Sequence, residues 1–287
     1  MVPVADMLNH YRPRETSWTF DNAQQCFTMT ALTPLKKGQQ VMDSYGKKCN
    51  SKFLLHYGFA IESNREADGT CLNQLPVTLS LDPADPLYMR KVQLVKSEAR
   101  YKVAMCRSIG QTNRALQYLR TVIATKGACF TVLLPLLHFV RIPSHSSTRS
   151  FLPPTNIFDS TAEIDIGTTV GAVSASNEAR ALDEMARAMR EVLSVYARSI
   201  EEDDALLASP TLEPFSNERN AAIVTRGEKE IARFWIRLAE EFAPLLRDLS
   251  PAERDVAVHT RGADASEDDD VWSMIIELNR ELAYEGL

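Results

Sequence analysis

Apolar and polar residues follow two different periods along this chain, and the change of period divides it. Before residue 63 the pattern has the short reach of strands and tight turns. Cys26-Phe27-Thr28-Met29-Thr30-Ala31 alternates apolar and polar positions and predicts a half-buried strand. Thr33-Pro34-Leu35-Lys36-Lys37-Gly38 predicts a turn, and Gln40 to Met42 a short strand after it. Asn50 or Ser51 is placed to cap a brief helix with Phe53, Leu54 and Tyr57 on one face. Residues 63–83 read as polar loop with short extended pieces such as Val77 to Leu81.

From Asp85 onward the period is helical. Asp85-Pro86 forms a helix start, and Tyr88, Val92, Val95, Ala99 and Val103 continue it at helical spacing. A second helix is predicted across Arg114 to Ala124 and a third apolar segment across Phe130 to Phe139. Arg141 to Ala175, rich in Ser, Thr and Pro, predicts a long loop. Leu182, Met185, Met189, Val192, Leu193, Tyr196 and Ile200 then form one stripe, with Asp183 and Arg187 a favourable pair on its wet side. Ile223, Ile231, Phe234, Trp235, Leu238, Phe242, Leu245 and Leu249 form a longer stripe, with a bend expected near Pro244. Ser250-Pro251-Ala252-Glu253 has the form of a capping box, and a last helix runs through Val271, Trp272, Ile275, Leu278 and Leu282. These stripes read as core, not as a cofactor box, and Glu267 to Asp270 as a solvated helix N-terminus. The pattern as a whole predicts an α+β chain, β-rich at first and helical afterwards.

Composition narrows the function classes. A chain of 287 residues can bury a sizeable core, and its net charge of −6 without a basic cluster argues against a nucleic-acid binder held by phosphate contacts. Cys26, Cys49, Cys71, Cys106 and Cys129 stand far apart, which indicates neither a zinc site nor a disulfide framework and fits a reducing, intracellular setting. No apolar run approaches the roughly 20 residues that span a bilayer. The opening segment has no basic or signal-like character, so no targeting sequence is visible.

Chemistry concentrates in the first sixty residues. Tyr45-Gly46 and Tyr57-Gly58-Phe59 put glycine-freed backbone beside aromatic rings, a plausible floor for a small-molecule site, and Asp6-Met7-Leu8-Asn9-His10 stands out together with them. Each has an ordinary reading as well. An Asn-His pair can cap a turn, Tyr-Gly is a common strand end, and His10 alone reads as a hydrogen-bonded turn residue. His56, His138, His145 and His259 carry no comparable context.

Taken in order, with Lys36 to Gly38 and Tyr45 to Asn50 between them, these motifs resemble the C-terminal half of the SET domain, and most closely its Rubisco large-subunit lysine methyltransferase-like branch. Ser199 to Leu207 and Gly227-Glu228-Lys229 are similar to segments of that branch's helical domain. The resemblance implies the C-terminal half of a β-rich SET domain over residues 1–63, followed by an all-α helical substrate-binding domain over 64–287 with its long loop at about 141–175. It implies an S-adenosyl-L-methionine-dependent protein-lysine N-methyltransferase. Tyr45 would be catalytic, while Asp6, Met7, Leu8, Asn9, His10, Tyr57, Gly58 and Phe59 would bind the cofactor, with no metal. The partner would be a protein, through a histone or non-histone lysine, with no nucleic acid or membrane, and the chain a monomer. The compartment would be cytoplasmic or nuclear, a plastid remaining open.

Two readings stay beside this one, a catalytically inactive protein-binding module with a SET remnant and a protein-histidine methyltransferase. Ala5 before Asp6 is similar to the lysine-modifying members, where the actin-histidine relative has a bulkier aromatic. The first half of a SET domain, with its cofactor strand, upstream arginine and much of the acceptor channel, has no counterpart in residues 1–62. The chain is therefore expected to begin inside a domain and, made alone, to bind S-adenosylmethionine poorly. The post-SET cysteine cluster of many histone methyltransferases is also absent.

Overall fold

The computed structural model describes residues 2–67, 70–80, 83, 88–89, 100–105, 107, 174–266, 269–284 and 286–287. These form two compact units, one of Met1–Asn73 with Ala205–Thr225 and the other of Gln74–Asp204 with Arg226–Leu287.

The first unit is made of short pieces. A 3-10 turn at Ala5–Met7 leads into β1 (Asn9–His10), which pairs in parallel with β4 (Met42–Asp43) through Asn9↔Met42 and His10↔Asp43. Between them, β2 (Thr16–Asp21) and β3 (Cys26–Ala31) form an antiparallel hairpin from Thr16↔Ala31 to Asp21↔Cys26, with β3 spanning the residues whose alternation predicts it. The Asp21 carboxylate closes the turn by accepting from the Ala23 and Gln24 amides at 2.8 and 3.0 Å. Thr16 is buried, its hydroxyl 2.9 Å from the Met42 carbonyl, which ties the hairpin to β4. Helix α1 (Asn50–Tyr57) follows, with Cys49 at the N-cap, one residue earlier than the sequence suggests. It ends at Gly58, whose φ of 78° lets its amide bond back to the Leu54 carbonyl.

The second unit buries one large core. Strands β5 (Leu75–Ser80) and β6 (Arg100–Met105) pair antiparallel, with Leu75, Val77 and Met105 buried against helical side chains. This corrects the helix expected to continue through Ala99 and Val103. Tyr101, Val103 and Met105 also alternate, and Val103 is the register partner of Val77, so strand pairing overrides the helical spacing. Tyr88 and Met89 are helical, while most of that expected helix lies outside the described residues. So do the helix expected at Arg114 to Ala124, the segment at Phe130 to Phe139, and all but the last two residues of the loop expected at Arg141 to Ala175.

Helix α2 (Ala175–Ser194) is capped by Ser174, whose hydroxyl accepts from the Asn177 amide, and buries Leu182, Met185 and Met189 as their spacing predicts. It stops at Ser194, so Tyr196 and Ile200 leave its stripe, and Ile200 opens α3 (Ile200–Leu207). The expected Asp183–Arg187 pair does not form. Arg187 reaches Glu184 and Glu191 on its own helix, and Asp183 pairs with Arg247 at 2.6 Å. Helix α4 (Asn217–Asp248) runs through Pro244 and buries Ile231, Trp235, Leu238 and Phe242. Ser250 and Glu253 make the predicted capping box of α5 (Pro251–Asp264), and α6 (Asp270–Tyr284) buries Val271, Trp272, Ile275, Leu278 and Leu282. Among the described residues, no helix is long and apolar enough to cross a membrane.

Candidate functional site

Because β1 and β4 pair in parallel, the segments that follow them, His10 onward and Tyr45 onward, leave side by side. Tyr45 is fastened to the earlier segment at both ends. Its amide donates to His10 Nδ1 at 2.9 Å, and its hydroxyl donates to the Leu8 carbonyl at 2.7 Å. With Nδ1 occupied as acceptor, the neutral imidazole carries its proton on Nε2, and that buried nitrogen has no hydrogen-bond partner.

The turn after Tyr45 needs Gly46, whose φ is 87°. It brings the Lys48 ammonium onto the Tyr45 carbonyl and to 5.8 Å from the centre of the Tyr57 ring. Helix α1 then supplies Phe53, fully buried, as the hub of a ring cluster. Phe53 lies 4.9 Å from His10 and 5.1 Å from Phe59 between ring centroids. Tyr45 lies 4.7 Å from Tyr57, and Phe59 stacks on His10 at 6.0 Å. A cleft of about 440 Å³ opens beside these rings, lined by His10, Phe59, Ala60, Phe215, Arg219 and Asn220 among others.

Electrostatics fix the protonation states. Burial, and then the Arg12 and Lys48 cations, lower the His10 pKa, while Asp43 and Glu66 oppose them less strongly. The imidazole is therefore neutral at physiological pH. Burial, then Tyr57 and Asp43, raise the Tyr45 pKa, so the phenol keeps its proton. Among the described residues, no group of His, Cys, Asp and Glu could hold a metal ion.

The residues singled out in the sequence divide into two sets. Leu8, His10, Tyr45, Tyr57 and Phe59 come together, with Gly58 as the turn between the last two. Asp6 is exposed and accepts from the Val2 amide at 2.7 Å, Met7 is 80% exposed, and Asn9 is exposed on β1. Sequence reasoning passed over Lys48, Arg12 and Asn220, and read Asn50 as a helix cap and the end of a motif, not as the partner of Ile61. Arg12 bonds Glu66 and Asn64 in the loop after α1, and Asn220 bonds the backbone on both sides of Phe59. Lys48 had a signal in its place beside the Tyr-Gly turn. Asn220 had none, being 160 positions from its partner Ala60.

The chain matches known proteins along most of its length. Residues 82–231, just over half of it, match the family model described as Rubisco LSMT substrate-binding. An N-lysine methyltransferase setd6 of Salmo salar is 29% identical over 107 residues, 36% of this chain and 20% of that protein. An actin-histidine N-methyltransferase of Mus musculus is 25% identical over 261 residues, 86% of this chain and 39% of that protein. Among solved structures, the SET domain of LSMT bound to lysine and AdoHcy superposes with a TM-score of 0.59 at 21% identity, over 87% of this chain and 51% of that one. That likeness is one of fold, a partial SET domain joined to helices. The chain thus spans well under two thirds of the curated relatives it matches. On the extent of the family match, the chain belongs to the Rubisco LSMT substrate-binding family.

Proposed function

We propose that this chain works in an S-adenosyl-L-methionine-dependent protein-lysine N-methyltransferase, carrying part of its catalytic core and the helices that recruit a protein substrate. The observation that carries the reading is Tyr45, tied through its amide to His10 and through its hydroxyl to Leu8, with its ring against Tyr57. The solved relative that shares the fold is bound to lysine and AdoHcy, which supports the same cofactor and acceptor here.

The residues present fit the donor. An unpartnered buried Nε2–H on His10 suits a ligand with acceptor atoms, and stacked rings with the Leu8 carbonyl suit a cation next to a flat heterocycle. His10 and Phe59 would hold the planar part of the cofactor, and Leu8, Tyr45 and Tyr57 its charged part. Asp6, Met7, Asn9 and Gly58 complete the cofactor-binding set through the turn and strand that place Leu8 and His10 and the turn that places Phe59. When bound, S-adenosylmethionine supplies a methyl group made electrophilic by a sulfonium. Tyr45, kept protonated, is not a base. Its hydroxyl oxygen and the Leu8 carbonyl stand 2.7 Å apart, two partial negative charges that orient and stabilise positive charge. The aromatic walls exclude water, which favours the neutral form of an incoming lysine. The protein would act as a monomer on a lysine-bearing protein inside the cell, independent of nucleic acid and membrane.

The test, on a protein in which the first half of a SET domain is joined ahead of this chain, is transfer of labelled methyl from S-adenosylmethionine into cell-extract proteins, followed by hydrolysis and amino-acid analysis. Methyl-lysine is expected, falling on the order of 100-fold in Tyr45→Phe. That variant should lose only about 1 kcal/mol of stability, the worth of one hydrogen bond. A histidine acceptor is the second reading, favoured by the greater share of the chain that the actin-histidine relative covers, and methyl-histidine in the hydrolysate would establish it. A folded protein with both halves of the SET domain that neither binds nor transfers would leave a protein-binding module.

A further inference from the structure

The segment Gly58–Ile61 carries Phe59 into the ring cluster, yet it belongs to no helix or strand. Backbone groups on such a segment need partners from elsewhere. Two asparagine side chains supply them. The Asn50 amide donates to the Ile61 carbonyl at 2.8 Å and accepts from the Ile61 amide at 3.0 Å. The Asn220 amide accepts from the Ala60 N–H at 3.0 Å and donates to the Gly58 carbonyl at 3.2 Å and the Phe215 carbonyl at 3.3 Å. Both asparagines are buried, at 2% and 1% exposure.

We propose that Asn220 is a positioning residue of this site: its side-chain amide replaces a missing β-strand neighbour across Phe59 and so fixes the Phe59 ring against His10. Asn220 itself makes none of the ring contacts and acts through the backbone on either side of Phe59. The geometry is specific to asparagine, which sets one acceptor and two donors in a plane on a short stem. Aspartate lacks the donors, and glutamine adds a methylene that misplaces them. The position of Asn220 is itself fixed, because it stands in the first turn of α4 with its own amide bonded to the Ser216 carbonyl at 3.0 Å. The segment around α4's first turn thereby sets the floor of the cleft, since Phe215 and Ile223 line it beside Asn220. The consequence for the cofactor rests on the function proposed above: a displaced Phe59 weakens hold on the flat heterocycle while leaving Tyr45 and its Leu8 bond in place.

The experiment uses the full chain. In the unaltered protein the Ala60 amide should be protected from hydrogen exchange although it lies outside helix and strand, and free exchange there would overturn the proposal. Asn220→Ala removes all three bonds, and Asn220→Asp keeps the Ala60 bond while setting an oxygen against the Gly58 and Phe215 carbonyls. Both should shift the His10 imidazole resonances, which feel the Phe59 ring current, and weaken S-adenosylhomocysteine binding about tenfold. Ser209→Ala, a half-buried position whose hydroxyl bonds Thr211 and touches neither Phe59 nor Asn220, should change neither. A folded Asn220→Asp with unchanged His10 resonances and unchanged affinity would refute the positioning role. If the unaltered chain takes up no S-adenosylhomocysteine, that accords with the poor binding expected of it when made alone, and the His10 resonances with the Ala60 exchange still decide what Asn220 does.

Discussion

In the helical unit the core side chains leave solvent altogether: Trp235, Met185, Met189 and Leu238 are fully buried, each beside neighbours a turn away on its own helix. Around Tyr45 the rings stay near the surface. Phe53 alone is fully buried, and Tyr57 is 44% exposed. The polar atoms do not divide so cleanly, since Arg107 Nε and Arg254 Nη1 in the helical unit are also buried without a hydrogen-bond partner. Asp203, fully buried in the helical unit, is bonded by Lys229 at 2.5 Å and Arg198 at 2.9 Å, whereas His10 Nε2 is buried with no partner. The contrast lies in the rings: one region buries its side chains to hold a shape, while the other leaves ring faces uncommitted, which a binding site requires.

The contrast breaks first at Trp235. Trp235→Ala empties part of the helical core and should cost about 3 to 5 kcal/mol in urea unfolding. A loss under about 1 kcal/mol would mean that the core is loosely packed and no different in kind from the site. Next comes Lys229→Met, which takes the buried ammonium away from the Asp203 carboxylate and should cost about 3 kcal/mol. Burial pushes the Asp203 carboxyl up, but Lys229 and then Arg198 more than offset it, so it sits below the ordinary carboxylate range. The stability it contributes is present above the ordinary value of 3.8 and is lost as pH falls. The variant should therefore lose most at neutral pH, and its deficit should shrink in acid.

The same division explains what was legible in the sequence. Helical stripes are local, so Leu182, Met185 and Met189, the Ser250 capping box and the Val271 to Leu282 stripe are read from a few consecutive turns. Strand β3 was legible for the same reason. Strand β6 was not, because its pairing with Leu75–Ser80 is a long-range choice that a helical spacing can mask. Within the site, the motifs named Tyr45, His10 and Phe59, but no spacing could show that the Tyr45 hydroxyl meets the Leu8 carbonyl 37 positions away. Surface ion pairs were the least legible. Arg187 has acids on both sides at helical spacing, and its choice of Glu184 and Glu191 over Asp183 depends on Arg247 holding Asp183.

A gentler probe of the site is pH. His10 has its pKa lowered by burial and by Arg12 and Lys48, so its protonation favours the unfolded chain. The sign follows: the stability that depends on neutral His10 is whole above 6.5, its ordinary value, and falls as pH drops through the lower folded value. Urea midpoints should decline across that window in the unaltered protein, and His10→Gln should remove that part of the decline. A slope unchanged by the substitution would show that His10 does not set that part of the decline.

The smallest expected effect tests the helical side of the comparison at its weakest point, Glu228. Its carboxylate accepts the Tyr196 hydroxyl at 2.8 Å, and burial raises its pKa more than that hydrogen bond lowers it. The unfolded chain therefore binds fewer protons than the folded one between 4.5 and the folded value, so stability falls as pH rises through that window. At neutral pH the charge costs stability. Glu228→Gln keeps an acceptor oxygen for Tyr196 and removes the charge, so the variant should be slightly more stable than the parent at about pH 7 and indistinguishable from it well below 4.5. The outcome discriminates because Lys229 is the next residue and its ammonium lies 5.1 Å from the Tyr196 ring centre. If Glu228→Gln is less stable at neutral pH, the carboxylate is serving that ammonium through Tyr196. The helical unit would then hold a charge network whose members cannot be valued one at a time, much as the rings around His10 cannot.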